Sequence, residues 1–152
     1  LPAAALPAVI FVLAAFTAFS TGSSWGAMGI LLPLVLPLCW AIMGMEGLTQ
    51  GEDFFILYSS VSGVLAGAVW GDHCSPISDT TVMSSLSAGC DHIEHVRTQL
   101  PYALLAGASA LGAGTLPTSF GLPWWLGMLA AAAVTVVGLR LLGKPVEDYR
   151  PE

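Results

Sequence analysis

Two aspartates, Asp72 and Asp79, stand in the run Gly71-Asp72-His73-Cys74-Ser75-Pro76-Ile77-Ser78-Asp79-Thr80-Thr81, between the uncharged stretch 54–70 and a short arm at 82–89. An acid inside an apolar segment of this kind is costly and is by default a functional residue. Burial disfavours the charged carboxylate, so such a group can hold either a proton or a cation, and competition between the two is exchange in its simplest form. Ser75, Ser78, Thr80 and Thr81 offer hydroxyl oxygens beside the acids, and Pro76 prevents a helix from running through them. A second hydroxyl cluster, Ser20, Thr21, Ser23 and Ser24, is flanked by Gly22 and Gly26, which permit a tight turn. Oxygen ligands suit a hard cation such as Na+. The ten residues are therefore candidate ion ligands, with Na+ at Asp79 and Asp72. Asp79 is expected to lie deeper than Asp72, and Cys74 to lie in the same cavity.

Each residue also has a plainer reading. Asp79 could cap the short arm through its side-chain oxygen, and Asp72 could sit shallowly at an interface. Serines and threonines in membrane helices often serve packing and capping. The 20–26 cluster could be a polar surface loop, and Trp25 suits packing or anchoring better than ligation.

The elements that must position these groups are read from composition. The chain of 152 residues is 55% apolar and only 9% charged, with a mean hydropathy of +0.79, far above what a water-soluble surface tolerates. Its solvent is a lipid bilayer. The formal charge of -6 comes from short acidic stretches, and Arg97, Arg140, Lys144 and Arg150 are the only fixed cations, which excludes a nucleic-acid partner. Cys39, Cys74 and Cys90 are odd in number and lie in or beside apolar segments, so they read as free thiols.

A membrane-crossing helix needs about 20 apolar residues, and the chain offers five uneven blocks. Residues 3–19 and 27–45 flank the 20–26 tip, 54–70 leads into the break at 71–81, and 82–89 completes that segment. Residues 101–116 and 122–142 read as a simple helical pair, with Trp124 and Trp125 as interfacial anchors. Backbone that leaves the helix at membrane depth survives only where it is buried in protein or lines a cavity, which suits both interruptions. Arg97 precedes the last pair, and Arg140, Lys144 and Arg150 lie at or beyond its end, so the positive-inside bias makes that side cytoplasmic and the acidic loop 46–53 extracytoplasmic. Charge alone does not decide whether 3–45 is a re-entrant hairpin or two full crossings.

Two enzyme readings are set aside. His73, Cys74, Cys90 and His92 lack the spacing of a zinc site, and His92 and His95 fit a solvated loop with Asp91, Glu94 and Arg97. Asp72, His73 and Ser75 are too nearly contiguous for a hydrolytic triad. A membrane subunit without transport activity would use the polar breaks only for helix packing, against which the paired acids argue.

The undecapeptide 71–81, followed by Gly89-Cys90-Asp91-His92 and His95-Val96-Arg97-Thr98-Gln99-Leu100-Pro101-Tyr102, resembles the signature of NhaC-type Na+/H+ antiporters. Residues 20–26 and the Pro33 segment resemble that family's preceding motif, so the likeness covers roughly residues 15–105. It implies an all-α membrane protein built from two inverted repeats, each with a re-entrant helical hairpin and a transmembrane helix unwound at mid-membrane. Here one repeat is expected, with two further transmembrane helices. The implied organisation is a single transmembrane domain at 1–143, the C-terminal half of a transporter, and a short cytoplasmic tail at 144–152. The start at Leu1 and the absence of a basic leader agree with a fragment lacking its N-terminal portion. The implied function is secondary active transport, Na+/H+ antiport across the inner (cytoplasmic) membrane, without enzymatic activity and without a cofactor beyond the transported Na+ and H+. Relatives in the same superfamily exchange malate and lactate with Na+, and such organic-acid exchange is the alternative. The partners implied are the bilayer, Na+ and H+ and the missing N-terminal repeat, and a homodimer is compatible with these features. No buried Lys or Arg is available here for a carboxylate substrate, which favours cation exchange.

Overall fold

The computed structural model describes residues 2–49 and 51–143, and these are helices joined by short turns. The expected tail at 144–152 lies outside the described residues. A 3-10 turn, Ala3–Ala5, leads into α1 (Leu6–Thr21), where Pro7 occupies the first turn and its missing N–H costs nothing. Gly22 ends α1 in the left-handed conformation, φ 66°, with its N–H on the Ala18 carbonyl at 2.8 Å. Ser23 then caps α2 (Ser24–Met45), its Oγ accepting from the Gly26 N–H at 3.2 Å. The hairpin closes at its other end too, because both Glu46 carboxylate oxygens accept from the Ala3 N–H, at 3.1 and 3.2 Å.

Helix α3 (Phe54–Cys74) runs parallel to α1. Gly63, Gly67 and Gly71 form a stripe at four-residue spacing along α3, and a methyl group on Gly63 would lie 2.8 Å from the Pro7 carbonyl oxygen. One on Gly67 or Gly71 would run into the carbonyl of Phe11 or Ala15. Small residues of this spacing let two backbones touch, a favoured way of joining helices where lipid removes the usual hydrophobic drive. The core between α1, α2 and α3 has the same step: Ala27, Leu31, Val35, Cys39 and Met43 of α2 are buried against Ile10, Ala14 and Ala18 of α1.

After the break come α4 (Asp79–Ala88), α5 (His92–Ser109), a π-helical stretch (Ala110–Thr115), α6 (Leu116–Ser119) and α7 (Trp124–Leu142). Among the described residues four helical spans are long and apolar enough to cross a membrane: Ala3–Thr21, Ser24–Met45, Phe54–Cys74 and Trp124–Leu142. The expected simple pair at the C-terminal end is thus modified. Helix α5 begins nine residues before the expected 101, as Asp91 caps it by accepting from the Glu94 N–H at 2.9 Å. Its first turns carry His92, Glu94, His95 and Arg97, and it is not among the four apolar spans. The π-helical turn carries Gly112 and Gly114, and Gly127 of α7 packs against Gly114 and Thr118. Trp124 and Trp125 are exposed at the start of α7, where interfacial anchors would stand.

Candidate ion site

Both interruptions are shorter than the sequence implied. The tip is only Gly22 and Ser23, because Thr21 stays helical and returns its hydroxyl to the Thr17 carbonyl at 2.9 Å. The break is only residues 75–78, since Gly71, Asp72, His73 and Cys74 complete α3 and Asp79, Thr80 and Thr81 begin α4. The structure brings the two together. A Cβ on Gly22 would stand 2.7 Å from the Ile77 carbonyl oxygen, so glycine is required there by both its φ and its neighbour. Ser75, fully buried, donates from Oγ to the Phe19 carbonyl at 2.7 Å and accepts from the Ile77 N–H at 3.3 Å. Ser75 continues the glycine stripe by one more four-residue step, exchanging a backbone contact for a hydrogen bond.

Beside this junction lies Asp72, 6% exposed on the last turn of α3. Its Oδ2 accepts from Ser24 Oγ at 3.3 Å, and its Oδ1 is buried without a hydrogen-bond partner. Ser24 is the first residue of α2, so the carboxylate meets the positive pole of that helix. A buried acceptor left unpaired is costly, and this one belongs to a group that can take up a proton or a cation.

The other expected ligands are distributed unevenly. Asp79 is exposed on the first turn of α4, so burial runs opposite to the expectation that it lies deeper than Asp72. It is not the cap of α4 either, since Ser78 holds that position. Ser78 is buried and shares a hydrogen bond with Thr80 Oγ1 at 2.8 Å. Thr81 is buried and Thr80 exposed. Ser20 and Thr21 are exposed, and Ser23 serves the α2 cap, leaving Ser24 as the tip residue that reaches an acid. Among the described residues no cluster of three His, Cys, Asp or Glu side chains could hold a metal ion. Cys74 lines an apolar groove of about 530 Å³ together with Phe11, Phe16, Phe19, Trp70 and Leu104 among others. Its placement in the polar cavity is therefore corrected. Cys39 and Cys74 are buried free thiols and Cys90 is an exposed one.

Sequence reasoning missed the residues that strap α5 to the end of α3. Trp70 Nε1 donates to the Ala103 carbonyl at 2.7 Å, Gln99 Nε2 to the His73 carbonyl at 2.6 Å, and His92 Nε2 lies 2.6 Å from the Pro76 carbonyl. His92 is half-buried in this strap rather than part of a solvated loop. The stretches 89–92 and 95–102 carry the family likeness, and that was the signal available for His92 and Gln99. The glycine spacing was equally legible.

Comparison with known proteins identifies the family. A model of the Na+/H+ antiporter family matches residues 1–116. An uncharacterized protein of Haemophilus influenzae is 44% identical over 137 residues, 90% of this chain and 24% of its own length. The malate-2H(+)/Na(+)-lactate antiporter of Bacillus subtilis is 32% identical over 90 residues, 59% of this chain and 17% of its own length. An uncharacterized Na(+)/H(+) antiporter of Haemophilus influenzae is 35% identical over 98 residues, 62% of this chain and 19% of its own length. The chain thus spans about a quarter or less of the length of these curated relatives. No solved structure matches. With a family match over residues 1–116 and four helices among the described residues long and apolar enough to cross a membrane, the chain belongs to the Na+/H+ antiporter family and to a multi-pass membrane protein.

Proposed function

We propose that this chain carries the ion-binding part of a secondary antiporter in which Na+ and H+ compete for buried carboxylate at the junction of the hairpin tip and the helix break. The observation that carries the reading is Asp72: a buried carboxylate with one oxygen on the Ser24 hydroxyl and the other unpaired. Ser24, which donates to Asp72, and the buried Ser75, Ser78 and Thr81 supply the hydroxyl ligands in this scheme. Asp79, Thr80, Ser20, Thr21 and Ser23 would contribute from the exposed side, toward the rest of the transporter. The tip and the break lie at mid-membrane in this reading, where the ends of discontinuous helices offer carbonyls and helix poles to an ion. The hairpin is then re-entrant, residues 91–99 face the cytoplasm, 46–53 face outward, and the protein resides in the inner membrane. Residues 1–143 serve as one transmembrane repeat, completed by an N-terminal repeat of the same protein.

A second reading, exchange of an organic acid coupled to Na+, is favoured by the likeness to a malate-2H(+)/Na(+)-lactate antiporter. The deciding experiment is proton flux driven by Na+ in everted membrane vesicles containing the full-length protein, with and without malate or lactate. Na+-driven flux without organic acid supports the first reading, and flux only in the presence of malate or lactate supports the second. No Na+-dependent flux under either condition overturns both.

A further inference from the structure

Arg97 stands in the second turn of α5 and Arg140 in the last turn of α7, and the chain's other fixed cations, Lys144 and Arg150, follow α7 in sequence. The two helices run antiparallel: a Cβ on Gly138 would lie 2.8 Å from Leu105, and one on Gly127 would lie 3.2 Å from the Gly114 carbonyl oxygen. The start of α5 therefore meets the end of α7. There the pair encloses a groove of about 330 Å³. Along α5 its lining changes from Arg97 and Thr98 through Tyr102 to Leu105, the last about 12 Å deeper than the first, and α7 supplies Leu139 and Leu142. The apolar span of α7, 19 residues, is about 28 Å long and matches the hydrocarbon thickness, with exposed Trp124 and Trp125 at its far end. Its other end, and the mouth of the groove with it, thus stands at headgroup level.

We propose that this groove binds an anionic phospholipid, with Arg97 on the phosphate, Tyr102 at the level of the glycerol, and the start of an acyl chain on Leu105, Leu139 and Leu142. Charge and polarity match along its length. A guanidinium offers paired N–H donors to phosphate oxygens, and basic pockets between membrane helices suit such headgroups. Arg97 is available for this. Its side chain is 81% exposed, and its ion pair with Glu94, itself 63% exposed, spans 4.0 Å, which is too loose and too wet to hold it. Asp91 and Glu94 lie nearer the start of α5, on the water side of Arg97. Thr98 adds no donor, because its hydroxyl proton already serves the Glu94 and His95 carbonyls, at 2.8 and 3.1 Å, so it bounds the groove sterically. Tyr102 is 55% exposed and joins an apolar ring to a hydroxyl, the combination suited to the interface. The volume lies at the low end of ligand pockets and fits a headgroup and the start of one chain, with the rest of the lipid in the bilayer. The bilayer presents phosphates at this level in any case, so this occupant need not be recruited. In the orientation proposed above the site belongs to the cytoplasmic leaflet, whose surface is negatively charged.

The site depends on α5 and α7 meeting at a membrane surface and is indifferent to what the protein moves, so it stands or falls apart from the transport reading. The full-length protein is placed in nanodiscs containing equal small fractions of phosphatidylglycerol or phosphatidylcholine that carries a diazirine high on one acyl chain, irradiated, and its adducts mapped by mass spectrometry. Labelling of peptides covering 97–105 and 139–143 is expected to be about fivefold stronger with phosphatidylglycerol, the preference that one cation near an anionic lipid supplies. Arg97→Gln brings the two lipids to parity. Arg140→Gln, which removes a cation of the same end that does not line the groove, leaves the preference intact. Thr98→Phe keeps every charge but fills the groove, and labelling there is lost. Arg97 and Thr98 are both exposed, so neither substitution disturbs the core. Equal wild-type labelling by the two lipids means boundary lipid only and overturns the proposal. An equal loss in the two arginine variants, which diffuse surface charge would give, overturns it too, as does undiminished labelling in Thr98→Phe. Absence of label from these peptides while other spans are labelled would show that protein covers the groove, and is equally fatal.

Discussion

Replacing Asp72 by asparagine separates the structural from the ionic role of the group. The side chain is 6% exposed, with Oδ2 on Ser24 Oγ at 3.3 Å and Oδ1 unpaired. Asparagine keeps the size and can present its carbonyl oxygen to Ser24, so the structural cost is about 1 kcal/mol and the protein should reach the membrane in normal amount. The ionic cost is larger. Removing one partner of a buried charge pair costs about 3–5 kcal/mol, which at about 1.36 kcal/mol per tenfold weakens Na+ binding by roughly 10²- to 10³-fold or more. The exchangeable proton is lost at the same time, so Na+-induced dequenching of a pH dye in everted vesicles should fall to background. Asp79→Asn is the comparison. That carboxylate is exposed on the first turn of α4, where its charge on the helix pole is worth about 0.3–1 kcal/mol, so exchange should fall by less than about tenfold. Wild-type exchange by Asp72→Asn, with the protein amount verified in the same membranes, would refute the reasoning. Abolition by Asp79→Asn alone would assign the exchanging carboxylate to the exposed acid and show that burial within this chain is the wrong guide.

Gly71→Val should destabilise the membrane-embedded protein by roughly 1–3 kcal/mol, because its branches enter the Ala15 backbone. Gly29→Ala, with nothing within 4 Å, should be neutral or stabilising by up to about 1 kcal/mol; thermal melting of both variants in detergent checks this, and equal melting points would contradict parallel packing on the stripe. A membrane-impermeant thiol reagent should modify exposed Cys90 faster than buried Cys74, and saturating Na+ should leave Cys74 unchanged because it lines the apolar groove. Protection of Cys74 by Na+ would place the thiol back beside the ion.

The helical, membrane-embedded character was legible because composition alone dictates it, and the two interruptions were legible because Gly22 and Pro76 enforce them. Their extent was not. Thr21 satisfies its hydroxyl on its own helix and Ser23 caps the next, so both helices run closer to the turn than a count of polar residues implies. The relative depth of the acids was hidden for a geometric reason. Seven residues apart, Asp72 and Asp79 would share a face of one continuous helix, but the break at 75–78 separates their helices and leaves one buried and the other exposed. His92 reaches Pro76 across 16 residues, a contact that no local pattern encodes. The π-helical turn at Ala110–Thr115 likewise departs from the plain helical period assumed for that stretch.

The pairing of Gly63, Gly67 and Gly71 with Pro7, Phe11 and Ala15 repeats every four residues on both helices, and a repeating contact is degenerate. Slid by one four-residue step, about 6 Å at 1.5 Å per residue, α1 would present another carbonyl to each glycine and the backbones would fit much as before. The stack of Phe11 on Trp70, with ring centroids 5.7 Å apart, and the polar end distinguish the registers: Ser75 finds Phe19 and Asp72 finds Ser24 in one of them alone. The glycines thus act as a track with evenly spaced stops, and the ring stack and the polar junction are the detents that select one.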